Sequence, residues 1–482
     1  MTRTFEFTGD GSNKFWNIAL DGPRFTVNYG RLGTAGQTQV KTFASAEAAL
    51  KEHDKLVAEK LRKGYRETTP VAAPAPVGGM REALEAALAD DPDDLANHMA
   101  YADWLAEEGD PRGDFIRLQL RLEDESLPAA ERKKLRTQET KLLRKHLAEW
   151  LGELGEVIID PKPHPEHEWR TLKAKYSFRR GWLHSLHLEN FGVEDMRVVA
   201  RSPALALLER LWLHDQRYEE PEDWKPGPDV PGHAADYYPQ FYPLLRSPHL
   251  GNVRHFTLGE PLSRAEERDA DDGAISCYTN GKAAVALVKM MPRLEELHLF
   301  AHNVAADELF TLKSLSSLRV LFLYHNDSYP LARLATNPAF EKLEVLRCHP
   351  HAMGDETPYL RLAQLKAVVR SKNLPALKHL QLRLSDHGDK GAKEIVESGI
   401  LDRLRVLDLQ HGCITDKGAR LLAGCPSLPK LERLDLTDNA MTAAGIAALR
   451  ATGVALEAGR QWEAGEEGEF GGDEYLFAGD FE

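Results

Sequence analysis

Leu377-Lys-His-Leu-Gln-Leu382, Leu404-Arg-Val-Leu-Asp-Leu409 and Leu431-Glu-Arg-Leu-Asp-Leu436 share the template L-x-x-L-x-L at a constant spacing of 27 residues (404 − 377 and 431 − 404). A period of that size is the signature of a solenoid in which each repeat contributes one short strand and a return path. Working outward from these three, further copies begin at Leu183, Leu208, Val253, Leu294, Leu318 and Leu343. Asn326 and Asn439 stand where a side-chain amide can bond the turning backbone after the strand. Asp389-Lys-Gly-Ala, Asp416-Lys-Gly-Ala and Ala444-Gly-Ile-Ala open helical stretches on the return path. The pattern predicts a curved, right-handed α/β solenoid over 155–456, with a parallel sheet lining its concave side. Two wider spacings, 253 − 208 = 45 and 294 − 253 = 41, imply loops inserted near Asp215 to Arg246 and Pro261 to Asn280.

In such a strand the leucines face the core, and the residues between them face the concave surface. The row so defined contains His187, Trp212, His214, His255, His298, Phe300, Phe322, Tyr324, Arg347, His349, His379 and Arg383. Exposed aromatics and arginines dominate interface energetics, so this row is the candidate face for a protein partner; the competing reading is that these side chains pack on one another or under the inserted loops. The first insertion adds Tyr218, Trp224, Tyr237, Tyr238, Phe241 and Tyr242, which either contact a ligand or plug the face.

Upstream, 80–154 reads as helices: Leu84 and Leu88, then Leu95, Met99, Ala102 and Leu105, a third helix starting near Asp114, and a long charged one from Ala129 to Leu151. The Pro-, Ala- and Gly-rich stretch 67–79 suits an extended linker. Ahead of it, 1–66 holds four candidate strands (Thr4 to Phe7, Lys14 to Leu20, Arg24 to Arg31, Gln37 to Phe43) and a helix capped by Ser45, with Leu50, Val57 and Leu61 along it. The architecture is therefore multidomain α/β: a small β-meander plus helix, a helical cap, and the solenoid. The tail, 457–482, carries nine acidic residues and one arginine, interleaved with Phe470, Tyr475, Leu476, Phe477 and Phe481. It reads as a solvated end, or as a segment that docks on a partner or covers the basic amino-terminal module.

Charge is segregated. The 482 residues carry 61 basic and 75 acidic side chains, a formal −14, yet 1–66 holds 11 basic and 7 acidic, so positive charge gathers at the amino terminus. Composition (42% hydrophobic, 28% charged) suits a folded chain. The first residues alternate where a signal peptide has an apolar block, and no apolar run is long enough to span a bilayer. The four cysteines, Cys277, Cys348, Cys413 and Cys425, are too sparse for a disulfide scaffold. A cytoplasmic location is expected.

Catalytic templates fail one by one. Gly30, Gly33 and Gly36 have the wrong spacing for a dinucleotide loop, and Asn280-Gly-Lys-Ala283 lacks the remainder of a phosphate loop. G-x-S-x-G and H-E-x-x-H do not occur. His164-Pro-Glu-His167 and Cys348-His-Pro-His351 suggest metal ligands but lack a matching second pair. The expectation is a non-enzyme with no metal and no cofactor.

Phe15-Trp-Asn-Ile18, Asn28-Tyr-Gly-Arg-Leu-Gly-Thr-Ala-Gly-Gln-Thr38 and Lys60-x-x-Lys-Gly-Tyr65 closely resemble the WGR domain. That resemblance implies binding of DNA ends or breaks, with the motif tryptophan against the terminal nucleotide; Tyr29 stands at that position and Arg31 at the motif arginine. Gln37 and Lys41, on the following strand, join Tyr29 and Arg31 as candidate nucleic-acid contacts. Tyr101-Ala-Asp-Trp-Leu-Ala-Glu-Glu-Gly-Asp-Pro-Arg-Gly-Asp-Phe-Ile116 resembles the repeat-companion domain that precedes bacterial leucine-rich repeats. Tyr101, Trp104 and Phe115 are expected to form a core capping the first repeat, entered through Phe178-Arg-Arg-Gly-Trp-Leu183. The repeats resemble the ribonuclease-inhibitor-like class, which are protein-binding scaffolds. Together these imply a non-catalytic adaptor, binding nucleic-acid ends through one module and a protein through the other. The alternative is a purely protein-interacting scaffold of a bacterial regulatory or defence system.

Overall fold

The computed structural model describes residues 2–9, 12–31, 34, 36–63, 65–67, 79–163, 171–214, 239–260, 279–326, 328–350 and 360–462. They form two compact units, Met1–Ala83 and Leu84–Glu482. Tyr218, Trp224, Tyr237, Tyr238, His164, His167, His351 and the tail residues Phe470, Tyr475, Leu476, Phe477 and Phe481 lie outside the described residues.

In the first unit, strands β1 (Thr2–Gly9), β2 (Ser12–Asp21), β3 (Arg24–Arg31) and β4 (Gln37–Thr42) form an antiparallel meander, and β5 (Arg66–Glu67) returns to the far side of β1. Strand alternation places Phe5, Trp16, Ile18, Phe25 and Val27 on one face, where they bury against helix α1 (Ala46–Arg62). Ser45 Oγ accepts from Ala48 N at 3.2 Å, as an N-cap does. The inward stripe of α1 is Ala49, His53 and Val57, whereas Leu50 is 47% exposed. The spacing Leu50 to Val57 is helical on either face, so periodicity alone could not choose between them.

Helix α2 (Met80–Asp90) starts just before the second unit and runs into it, and α3 (Leu95–Glu107), α4 (Pro111–Leu122), α5 (Ala129–Leu151) and α6 (Glu153–Ile158) follow. Asp94 caps α3 and Asp110 caps α4 three residues earlier than expected, with Pro111 in the first turn. Leu95 and Met99 face solvent; the buried face is His98, Tyr101, Ala102 and Leu105.

Beyond them runs an 11-stranded sheet in sequential order. Its first two strands, β6 (Lys173–Arg179) and β7 (Trp182–Glu189), form an antiparallel hairpin. From β7 onward every pair is parallel: β8 (Arg210–His214), β9 (His255–Leu258), β10 (Glu296–Phe300), β11 (Val320–Tyr324), β12 (Val345–His349), β13 (His379–Leu382), β14 (Val406–Asp408), β15 (Arg433–Asp435) and β16 (Leu456–Glu457). All nine L-x-x-L-x-L registers coincide with β7 to β15, and the apolar positions of each are buried in one continuous core. Asn326 and Asn439 act as expected: each amide oxygen accepts from the preceding repeat, at Val304 N (2.8 Å) and Ile414 N (2.9 Å).

Two devices absent from the leucine pattern hold the layers. Asp389 accepts from Thr415 N, Thr415 Oγ1 and Gly418 N of the next repeat, and Asp416 does the same to Thr442 and Gly445. A Cβ on Gly418 would lie 2.5 Å from Asp389 Oδ1, so the carboxylate's approach requires glycine there. At the other end, Tyr101 stacks on Trp182 (5.6 Å between centroids) and the Arg112 guanidinium lies 4.4 Å from the same indole ring. Arg112 Nε donates to Gly181 O, and Gly181 N donates to Gln119 Oε1. Arg180 makes a two-pronged pair with Glu123. The helices thus cover the open end of the first rung, as the edge of a solenoid requires.

Candidate nucleic-acid and protein interfaces

In the first unit, Lys14, Phe15, Tyr29, Gly30, Arg31, Thr34, Gly36, Gln37, Lys60 and Tyr65 line an open groove of about 670 Å³. Strand pairing builds it: Tyr29 sits opposite Trp16 on β2 and Gln37 on β4, and Arg31 sits opposite Lys14. The phenol of Tyr29 is held on both sides, donating to Gln37 Oε1 (3.3 Å) and accepting from Gln39 Nε2 (3.1 Å). Lys60 reaches up from α1, its ammonium 4.9 Å from the Tyr65 ring and 5.4 Å from the Trp16 ring. Burial, followed by repulsion from Lys63, holds the Lys60 ammonium below the ordinary lysine pKa.

Tyr29, Arg31 and Gln37 are therefore brought together. Lys41 is not on the groove; it lies 3.8 Å from Glu52 and 5.2 Å from the Phe43 ring. Sequence reasoning missed Lys14, Lys60 and Tyr65 as site residues. Lys60 and Tyr65 were visible inside the family motif, but only the packing of α1 on the sheet brings them to Tyr29.

On the second unit, the row between the leucines is an interlocked ladder. His187 stacks on Trp212, whose Nε1 donates to Gly259 O at 2.8 Å. His214 lies 3.6 Å from Glu260, and His255 Nδ1 lies 2.9 Å from Glu296 Oε2. Phe300, Phe322 and Tyr324 bury one another, with ring centroids 5.0 to 6.1 Å apart. Arg347 lies over the Phe322 ring at 4.7 Å and donates to Gln381, while His349 meets Tyr324 edge to face. Arg383 pairs with Asp408 (3.1 Å), and Arg433 with Asp435 (2.6 Å).

The row is thus not uniformly exposed. His187, His214, Phe300, Phe322, Tyr324 and His349 are buried; Trp212, His255, His298, Arg347, His379 and Arg383 remain half-buried. The acidic members Glu189, Glu296, Asp408 and Asp435 are not in the row read for aromatic and basic anchors, although the same alternation that selects the histidines places them in it. Burial lowers the pKa of His298, and lowers that of His379 to about 4, with Arg347 adding to it.

Cys348 is fully buried, which pushes its thiol pKa far up. Among the described residues no helix is long and apolar enough to cross a membrane.

Residues 1–71 match the family model of the WGR domain, and 404–423 and 427–449 match that of a leucine-rich repeat. Two Escherichia coli proteins are similar to this chain. The uncharacterized protein YfeS is 45% identical over 67 residues (14% of this chain, 28% of that protein), and protein YehF 42% identical over 65 residues (14% and 24%). The chain thus spans about a quarter of the length of these curated relatives. Among solved structures, a Bacteroides fragilis protein is 17% identical at TM-score 0.37, covering 96% of this chain and 98% of its own. An internalin (inlF) from Listeria monocytogenes is 14% identical at TM-score 0.29, covering 58% and 82%. The amino-terminal unit is a WGR domain, and the carboxy-terminal part of the chain is built of leucine-rich repeats.

Proposed function

We propose that the chain is a non-catalytic adaptor whose WGR groove takes a nucleic-acid end and whose leucine-rich sheet face takes a protein partner. The observation that carries the first half is the groove itself. Lys14, Arg31 and Lys60 line it, and among the described residues none of the three forms an ion pair with a carboxylate. Three like charges around one groove are best relieved by an anion, and the neighbouring rings of Tyr29 and Tyr65 offer faces for a base. Stacking on an aromatic ring contributes about 1–3 kcal/mol per base. For the second half, the half-buried Trp212, Arg347 and Arg383 are the residue types that anchor protein interfaces.

A purely protein-docking role is the second reading, favoured by the two hydrogen bonds that restrain the Tyr29 phenol. Fluorescence anisotropy of the full chain with a short blunt 5′-phosphorylated duplex, at two salt concentrations, separates the two. End recognition gives salt-sensitive binding competed better by linear than by closed-circular DNA, and Tyr29→Ala weakens it about tenfold or more. No binding at either salt moves the function to protein docking.

A further inference from the structure

Helix α5 carries Lys133, Lys134, Arg136, Lys141, Arg144 and Lys145, all exposed. At about 100° per residue, Lys133, Arg144, Lys141, Lys134 and Lys145 fall within a third of the helix circumference, with Arg136 flanking them. The stripe runs about 18 Å along the axis, at roughly 1.5 Å per residue. The far side of the helix holds Leu135, Leu142, Leu143 and Trp150, all partly or fully buried, with the half-buried Leu147 between Arg136 and Lys133 at the edge of the stripe, so the cations face solvent.

Such a stripe is ordinarily laced with acids at i+3 or i+4. Here the three acids of the helix are engaged elsewhere: Glu131 pairs with Arg121, Glu139 accepts from Gln119, and Glu149 lies 3.0 Å from His146. Among the described residues none of the six cations forms an ion pair. Neighbouring Arg117, Arg121, Arg179 and Arg180 all do. This concentration lies in a chain of formal charge −14, so it is not a by-product of a generally basic composition.

We propose that the basic stripe of α5 is a second nucleic-acid contact, which binds the phosphate backbone without reading sequence. Its chemistry is that of a phosphate rail: long flexible cations in line, with no aromatic ring among them and a single amide, Gln138, at the edge of the stripe. Only the choice of nucleic acid as the polyanion rests on the reading of the WGR groove.

The test uses the full-length chain and a blunt 30-base-pair duplex, with anisotropy measured across salt. Three forms are compared with the wild type: Lys133→Gln/Lys141→Gln/Arg144→Gln, the charge-matched control Lys372→Gln/Lys390→Gln/Lys417→Gln, and Tyr29→Ala. Glutamine keeps helix propensity, and circular dichroism confirms folding. The stripe variant is expected to lose at least about tenfold in affinity at 0.1 M salt, and its slope of log K against log salt to fall by roughly three. The control should leave both nearly unchanged.

A stripe variant that matches the control overturns the proposal, even where Tyr29→Ala still abolishes end preference. Loss in the stripe variant with Tyr29→Ala unaffected keeps the rail and removes the end-reading groove. A wild-type chain that ignores the duplex yet binds phosphatidylserine vesicles also overturns it.

Discussion

The imidazole of His187 and the indole of Trp212 lie face to face on adjacent rungs of the sheet, ring centroids 3.5 Å apart and planes within 1° of parallel. With Trp212 Nε1 bonded to Gly259 O and His187 Nε2 3.3 Å from Glu189, the indole is fixed before any partner arrives. A pre-ordered aromatic loses little entropy on binding, which is what makes it an effective anchor.

Trp212→Ala should therefore act twice. It removes a half-buried ring and a hydrogen bond, costing about 2–4 kcal/mol in chemical denaturation, and it weakens capture of the protein partner. Trp212→Phe keeps a ring for His187 but not the donor. It should cost about 1 kcal/mol and spare most partner binding.

The helical cap hinges on Gly181, whose φ is +81° and whose added Cβ would lie 2.2 Å from Ile116 Cγ1. Gly181→Ala is expected to destabilise the second unit by about 2–4 kcal/mol, from left-handed strain plus the clash. Limited proteolysis should then cut first within residues 84–181, while the leucine-rich rungs stay protected.

His387 is buried between repeats, and burial lowers its pKa to about 4. The folded value lies below the unfolded one, so this contribution is complete above pH 6.5 and is lost as pH falls from 6.5 toward 4. The shift corresponds to roughly 3 kcal/mol. His387→Leu should flatten the drop in urea midpoint between pH 7 and pH 5, whereas an unchanged drop would assign the acid sensitivity to other groups.

Lys60 gives the groove a pH signature. Its pKa is lowered, first by burial and then by Lys63, so the ammonium is lost on the alkaline side before an ordinary lysine titrates at 10.5. DNA affinity should begin to fall below that pH. Lys60→Arg, which does not deprotonate in this range, should move the fall upward.

Much of this architecture was legible because the leucine template recurs within each repeat even where the spacing between repeats varies. Nine leucine registers land on nine consecutive strands, and each apolar position is buried. The same pattern could not say which face of α1 or α3 turns inward, and Leu50, Leu95 and Met99 proved exposed. In the groove, Tyr29, Arg31 and Gln37 were accessible from adjacent strands and Lys14 joins them through the β2–β3 register, but Lys60 and Tyr65 join them only through packing. The short strand β5 carries too little pattern to be seen before β1 offers it an edge.

The sequence by itself determined the repeat, its strand register and the module at the amino terminus, because burying an alternating strand admits one register and a one-residue slip would expose every leucine. What only the tertiary structure decided is which side chains meet across repeats and elements: His187 on Trp212, Asp389 on Gly418, Arg112 on Trp182, Lys60 beside Tyr65. Such pairs depend on the angle and distance at which separate elements pack, and those follow from the summed contacts of the whole core, which no local window contains.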